Sequence, residues 1–171
     1  LHISGAGGGV WALRLVHGRL QAEAGAATDA LCQIACERGA FAALVGGALR
    51  DRGLEVMRRL NRAGQLPDLR RLPVDHGHLE AVSRLQGSVA IEVEDRPMRE
   101  VHRFVITFGS GSPSFDRATT TVRFDVDDWV GWTVERSPPI GVLRGGRVRV
   151  AGDLSLPVRA LQALPVLLRN K

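Results

Sequence analysis

The sequence contains one close histidine pair, His76-Gly77-His78, with Asp75 before it and Glu80 after it. Imidazole nitrogens and carboxylate oxygens are common metal ligands, so these side chains could begin a metal site. An H-x-H spacing without a third histidine or cysteine nearby is weak evidence for a metal. The exposed start of a helix explains the same residues, and we expect no bound metal.

A glycine-rich stretch, Ser4-Gly5-Ala6-Gly7-Gly8-Gly9, has some features of a dinucleotide-binding loop. Such a loop needs a full strand before it, a glycine at its sixth place and an acidic residue about twenty positions later. Here three residues precede Ser4, and Val10 occupies the sixth place. Glu23 and Asp29 do not sit in the required strand-loop-helix context. We therefore expect no nucleotide cofactor, and an irregular lead-in at residues 1–9.

The remaining reactive side chains do not form a catalytic motif that the sequence can identify. The loop at 109–112 lacks the G-x-S-x-G pattern of a nucleophile elbow. Asp127 and Asp128 are placed to open a helix, where a carboxylate satisfies free backbone N–H groups. Cys32 and Cys36 lack a C-x-x-C spacing and nearby histidines, so we expect two buried thiols. No residue is predicted to be catalytic.

Alternation of apolar and polar residues predicts three strands in the second half, at 88–94, 99–108 and 119–126. The turn Asp95-Arg96-Pro97 would join the first two as a hairpin. Helices are expected to begin near Asp127 and near Ser155. The apolar faces of the three strands would carry, in chain order, Val89, Ile91, Val93, His102, Phe104, Ile106, Phe108, Val122, Phe124 and Val126.

The first half is predicted to contain strands at 10–16, 20–24 and 28–36, followed by helices at 39–49 and from 54 to about 64. The stretch 28–47 has the same strand-to-helix layout as 119–138. A repeat of roughly ninety residues would explain this as two diverged copies of one unit. Two unrelated strand-helix units would share the layout by coincidence, and the sequence leaves both explanations open.

Composition is that of an ordinary globular domain, with 44% hydrophobic and 24% charged residues. The net charge is +5, and of the 23 basic residues only Lys171 is a lysine. An arginine excess of this kind follows from a GC-rich genome, and the arginines are scattered without interleaved aromatic residues. We therefore expect a solvated basic surface and no nucleic-acid partner. No stretch is long enough to span a membrane, and no signal peptide is visible, so we expect a cytoplasmic protein.

Three features stand out in residues 118–164: the alternating strand Val122, Phe124 and Val126, the pair Asp127-Asp128 before Trp129, and the block GRVRVAGD at 146–153. With these features the segment resembles the second half of the sterol carrier protein type-2 family. The resemblance is clearest over residues 88–168. Members of this family are small α+β domains that bind lipids and fatty-acyl groups in an apolar tunnel.

The resemblance implies an α+β fold, with an antiparallel sheet of about five strands and helices packed on one face. It divides the chain into an N-terminal half, 1–73, and a sterol-carrier-like domain, 74–171; the N-terminal half would be a partial diverged repeat if 28–47 and 119–138 are copies of one unit. The expected function is binding or transfer of a hydrophobic ligand between sheet and helices. The alternatives are an enzyme or enzyme-associated domain that uses the same pocket for a hydrophobic substrate, and a structural assembly module with a filled pocket. The predicted pocket residues are Phe104, Ile106, Val122, Phe124, Trp129, Trp132, Leu161 and His102.

The expected partner is a hydrophobic small molecule or lipid, and transient membrane contact, a protein partner and the oligomeric state stay open. The polar end of the ligand would be held at the mouth of the pocket, for which His102 and Arg123 are the candidates.

Overall fold

The computed structural model describes residues 1–17, 19–59, 76–128 and 148–163, which form one mixed eight-stranded sheet and four helices. The strands are β1 (His2–Ser4), β2 (Gly9–Val16), β3 (Arg19–Ala24), β4 (Cys32–Glu37), β5 (Gly87–Asp95), β6 (Glu100–Phe108), β7 (Thr120–Asp125) and β8 (Arg149–Gly152). The helices are α1 (Arg38–Gly46), α2 (Ala48–Arg59), α3 (His76–Ser83) and α4 (Ser155–Ala163). Residues 126–128 are also helical.

The strands lie in the order β3-β2-β1-β4-β6-β5-β7-β8. Neighbours are antiparallel except for the pairs β1–β4 and β5–β7, which are parallel. The predicted α+β class is confirmed, whereas the expectation of about five antiparallel strands is wrong in number and in direction. The number is larger because β4 pairs with β6 and so joins the strands of both halves into one sheet.

The glycine-rich start of the chain is a strand and a tight turn, so the prediction of an irregular lead-in is wrong. Residues 2–4 form β1, and Gly8 N–H donates to the Gly5 carbonyl oxygen at 2.9 Å. Gly5 and Gly7 have φ values of 98° and 71°, which residues with a Cβ rarely adopt. Arg38, at the start of α1, donates to the carbonyl oxygen of Ala6 in this turn. The glycines therefore serve a hairpin turn.

One face of the sheet is apolar across six strands, and we call it the helical face. Its central row runs through residues paired in register, from β1 through β4, β6, β5 and β7 to β8: Ile3, Cys36, Phe104, Ile91, Val122 and Val150. Side chains alternate between faces, so the residues two positions away continue this apolar surface. The opposite face of β5 and β7, which we call the outer face, carries Glu92, Glu94 and Arg123.

The helices cover the helical face with two separate cores. The α1–α2 core contains Ile3, Cys36, Ala40, Ala43, Leu49, Val93, Phe104 and Val126. The α3–α4 core contains Val82, Leu85, Val89, Phe108, Val122, Phe124, Val148, Leu156 and Ala163. Ile91 is partly buried and packs against both cores, so it marks the boundary between them.

An aspartate lies ahead of each of the two helical segments expected in the second half and accepts a backbone N–H from its first turn. Asp153 accepts from the Ser155 backbone N–H at 2.8 Å and from its hydroxyl at 2.9 Å, which lowers the pKa of the Asp153 carboxyl. Asp125 accepts from the Asp127 N–H at 3.1 Å. The two helix starts are confirmed, and the capping acceptors are Asp153 and Asp125, whereas Asp127 was expected to open its helix with its own carboxylate.

A tandem repeat is not shown, and it stays a prediction. Residues 28–47 contain β4 and all of α1, so they are not one continuous helix. Residues 119–128 contain β7 and a helical turn, and 129–138 lie outside the described residues. Within the described part of the chain, none of the helices is long and apolar enough to cross a membrane.

Candidate functional site

The centre of the helical face is less buried than its surroundings. Four side chains on β4, β5 and β6 are only half-buried, and we call them the central strip: Cys32, Ile34, Ile91 and Ile106. Ile34 and Ile106 are direct partners in the ladder between β4 and β6. On either side, Phe104 and Phe108 are 6% and 3% exposed. The strip is therefore apolar surface that the described helices cover incompletely.

A cavity of about 410 Å³ adjoins this strip between β2 and β4. Cys32 and Ile34 belong both to its lining and to the central strip. Trp11 and Leu13 line it from β2, on the helical face, and the loop with Ala30 and Leu31 lines it before β4. Pockets for small molecules commonly measure about 300–1,000 Å³, so this volume suffices for a small apolar ligand.

The charged groups that line this cavity are exposed to solvent. Arg14 and Asp29 both line it and form an ion pair at 3.4 Å, with side chains 46% and 69% exposed. His2 and Gln33 complete the polar lining, and Gln33 donates to the Gly111 carbonyl oxygen at 3.1 Å. The cavity thus combines apolar side chains with an exposed charged pair.

His102 lies on the helical face as predicted, but deep in it. It is 6% exposed, pairs with Val93 in the β5–β6 ladder, and lies 3.7 Å from Glu100 when Nε2 and Oε2 are compared. Its Nε2 has no hydrogen-bond partner in the described structure. It does not line the cavity described above.

Arg123 lies on the outer face and cannot reach the apolar surface. Its Nε donates to Glu92 Oε2 at 2.7 Å, and it approaches Glu94 at 3.4 Å. The hydrogen bond from Arg123 to Glu92 raises the pKa of this guanidinium. Arg103 and Arg149 contact the same two glutamates, at 3.3 Å and 3.1 Å. Arg123 is therefore part of a surface ion-pair network, and its prediction as a ligand anchor at the pocket mouth is wrong.

The other predicted pocket residues divide between the two cores. Phe104 is buried in the α1–α2 core, and Val122 and Phe124 are buried in the α3–α4 core. Ile106 belongs to the central strip. Trp129 and Trp132 lie outside the described residues, as does the side chain of Leu161. Their predicted contact with a ligand stays a prediction.

Sequence reasoning missed Trp11 and Leu13, which line the cavity from the first half of the chain. Their alternation within VWALRLV predicted a strand with both side chains on one face. It did not predict that β1 and β4 would place this face beside Ile34. Chemically, the whole arrangement offers apolar contact and an exposed ion pair. The described residues contain no group of three His, Cys, Asp or Glu side chains placed to hold a metal.

Burial raises the pKa of both cysteine thiols, Cys32 and Cys36, above their ordinary value of 9.0. Both are free, and Cys36 is 2% exposed. A thiol that keeps its proton is a poor nucleophile and a poor metal ligand. The prediction of two buried free thiols is confirmed for Cys36, and Cys32 is half-buried.

We expect the stability of the protein to fall as pH rises through the range where unfolded cysteines ionise, about 8.5–9. The folded pKa values are raised, so the unfolded state loses its thiol protons first. The stabilisation that the two protonated thiols contribute is fully present below this range, and it is lost as the pH rises towards the folded pKa values. Urea unfolding at pH 7.5 and 10 measures the decline. A Cys32→Ala/Cys36→Ala variant should decline less, and an equal decline would contradict the assignment.

Comparisons with known proteins find similar structures. Neither a scan of protein-family models nor a search of curated proteins gives a match. Sterol carrier protein 2 from Yarrowia lipolytica, in its apo form, matches with a TM-score of 0.42 at 13% identity, covering 78% of this chain and 96% of that chain. The sterol carrier protein domain 2 of Helicoverpa armigera matches with a TM-score of 0.39 at 11% identity, covering 72% and 88%.

A conserved hypothetical protein from Thermus thermophilus, described as possibly a sterol carrier protein, also matches. Its TM-score is 0.40 at 19% identity, covering 53% of this chain and 71% of that chain. These matches are structural similarities to sterol carrier protein 2 domains at low sequence identity.

Proposed function

We propose that this protein binds or transfers a hydrophobic ligand, such as a fatty-acyl chain, a sterol or a similar lipid, on the helical face of its sheet. The observation that carries the proposal is the central strip, which stays half-buried between two well-buried cores. The adjoining cavity supports it, because Cys32 and Ile34 continue from the strip into the cavity lining.

An apolar ligand gains affinity here mainly by removing hydrocarbon from water. Each buried methylene contributes about 0.8 kcal/mol, so a long chain needs little polar recognition. The polar end of the ligand would lie at the exposed pair Arg14 and Asp29, where it keeps contact with water. The proposed binding site includes residues from both predicted halves, 1–73 and 74–171, because β4 of the first half supplies part of the central strip. The division of the chain between residues 73 and 74 is itself a proposal.

The experiment is a titration of the protein with a fluorescent fatty acid, following tryptophan emission. Ile106→Glu should weaken binding by about tenfold or more, because it places an unpaired carboxylate on the apolar strip. The matched control is Val101→Glu, on the same strand, where Val101 is 48% exposed on the outer face. The control should bind like the parent. Thermal unfolding of both variants must show that they remain folded.

Variants in which one tryptophan at a time is replaced by phenylalanine then locate the ligand. Quenching that disappears in Trp11→Phe places the ligand in the cavity beside β2. Quenching that survives there and disappears in Trp129→Phe or Trp132→Phe supports the position predicted from the sequence. Equal binding by folded Ile106→Glu and Val101→Glu variants, or no binding of acyl and sterol probes by the parent, rejects the proposal.

A further inference from the structure

The two helical covers of the sheet bury side chains of different sizes in the described part of the chain. In the α3–α4 core, Leu156 is 1% exposed and packs with Val82 and Leu85. Among the described side chains of α1 and α2, the buried ones are Ala40, Ala43 and Leu49, two of which are alanines. Phe41 of α1 is partly buried and packs against the same core, so small side chains and one aromatic ring attach the described part of this cover.

A charged side chain of α2 adds ion pairs to these apolar contacts. Arg52 of α2 places Nη2 3.6 Å from Asp95 Oδ1, and Nη1 3.1 Å from Asp127 Oδ1. Asp95 is the last residue of β5, and Asp127 follows β7. A single arginine therefore connects the cover to the end of β5 and to the helical turn that follows β7.

The Asp95 carboxylate is fully buried, but only one of its two oxygens has hydrogen-bond or ion-pair partners in the described structure. Its side chain is 0% exposed, whereas the Arg52 side chain is 33% exposed. Oδ1 accepts from the Met98 N–H at 3.2 Å, and Oδ2 has no hydrogen-bond partner in the described structure. In the part of the chain that the structure describes, Arg52 is the cation that contacts Asp95. Losing Arg52 would leave a buried carboxylate without its counter-ion.

We propose that α1 and α2 form the moving cover of the apolar face, and that Arg52 is the latch that keeps it closed. This inference rests on the proposed function, because opening would admit the ligand. Cys36, Phe104 and Val93 lie beneath the cover, and Ile91 connects them to the central strip. Opening of the cover extends the half-buried strip into a wider apolar surface. Arg52 acts through the position of the helices and does not touch the ligand.

Cys36 is a built-in reporter of the cover, because it is 2% exposed and belongs to the α1–α2 core. In a Cys32→Ala background, a chromogenic disulfide reagent labels Cys36 only when the cover opens. Arg52→Gln should raise the labelling rate by about tenfold or more, since the stranded Asp95 charge favours the open form. Arg58→Gln is the matched control on α2; Arg58 is 75% exposed and pairs with Glu55 at 2.8 Å. It should label at the parent rate.

Global unfolding must be separated from opening of the cover. Urea unfolding of each variant measures its global stability. From this stability we calculate the Cys36 labelling rate that global unfolding alone would produce. If Arg52→Gln does not fold, the Arg52→Gln/Asp95→Asn variant replaces it, because it removes the latch without stranding a charge. Faster labelling than global unfolding allows supports the latch. Labelling at the parent rate in a folded variant, or labelling that follows global stability alone, overturns it.

A fluorescent fatty acid tests the connection with ligand entry. In a latch variant with faster Cys36 labelling, the association rate of the probe should rise by a similar factor. An unchanged association rate with intact binding overturns the role of α1 and α2 in entry. Absence of probe binding in the parent rejects the proposed function, whereas the thiol labelling still decides whether the cover moves.

Discussion

Replacing Leu156 by alanine is expected to lower the free energy of unfolding by about 2–5 kcal/mol. Leu156 is 1% exposed in the first turn of α4 and packs in the α3–α4 core. A Cβ built on Gly87 would lie 2.9 Å from its Cδ2, so the side chain reaches the start of β5. The rigid sheet cannot collapse into the space left by the lost methyl groups, and the substitution leaves a cavity.

Leu154→Ala is the matched control for this prediction. Leu154 precedes α4 and is 47% exposed, so its truncation should change the stability by less than about 0.5 kcal/mol. Urea unfolding of the two variants and the parent measures the difference. A loss below about 1 kcal/mol for Leu156→Ala would show that α4 does not anchor this core.

Local patterns predicted the second half of the sheet well. The alternation in 88–94 and 99–108 corresponds to β5 and β6, which extend from Gly87 to Phe108 and form the expected hairpin. The alternation is reliable here because one face of each strand is buried, which fixes a period of two residues. His102 was placed on the apolar face for the same reason.

The size and direction of the sheet could not be predicted, because they depend on pairing between distant segments. β1 has three residues and follows no alternation that the sequence reveals. Its parallel pairing with β4 and the antiparallel pairing of β4 with β6 join segments that are far apart in the chain. Periodicity specifies which side chains share a face, and it does not specify which strands are neighbours.

The candidate site was predicted in part for the same physical reason. Ile106 was placed on an apolar face, but whether it is buried or half-buried depends on where helices from other segments lie. Phe104, two residues earlier on the same face, is covered by the α1–α2 core. Trp11 enters the site through the arrangement of β2, β1 and β4. Residues of one face thus differ in accessibility only after the tertiary structure forms.

Gly152→Ala is expected to lower the free energy of unfolding by about 2–4 kcal/mol. Gly152 ends β8 with φ of 95°, a conformation that residues with a Cβ rarely adopt. A Cβ there would lie 2.3 Å from the Thr119 carbonyl oxygen, which is backbone and cannot rotate away. That carbonyl accepts from the Asp153 N–H at 3.3 Å, and Thr120 Oγ1 donates to the Asp153 carbonyl oxygen at 2.6 Å.

Gly25→Ala separates the two causes of this loss, backbone strain and steric overlap. Gly25 has φ of 113°, and a Cβ built on it meets nothing within 4 Å. Its substitution should therefore cost about 1–2 kcal/mol, from backbone strain alone. The excess loss in Gly152→Ala, measured by urea unfolding, reports the overlap with Thr119. Equal losses in the two variants would mean that β8 and the start of α4 move away from β7 at little cost. The requirement for glycine at position 152 of the GRVRVAGD block would then follow from its backbone conformation alone, without the close approach of β8 to β7.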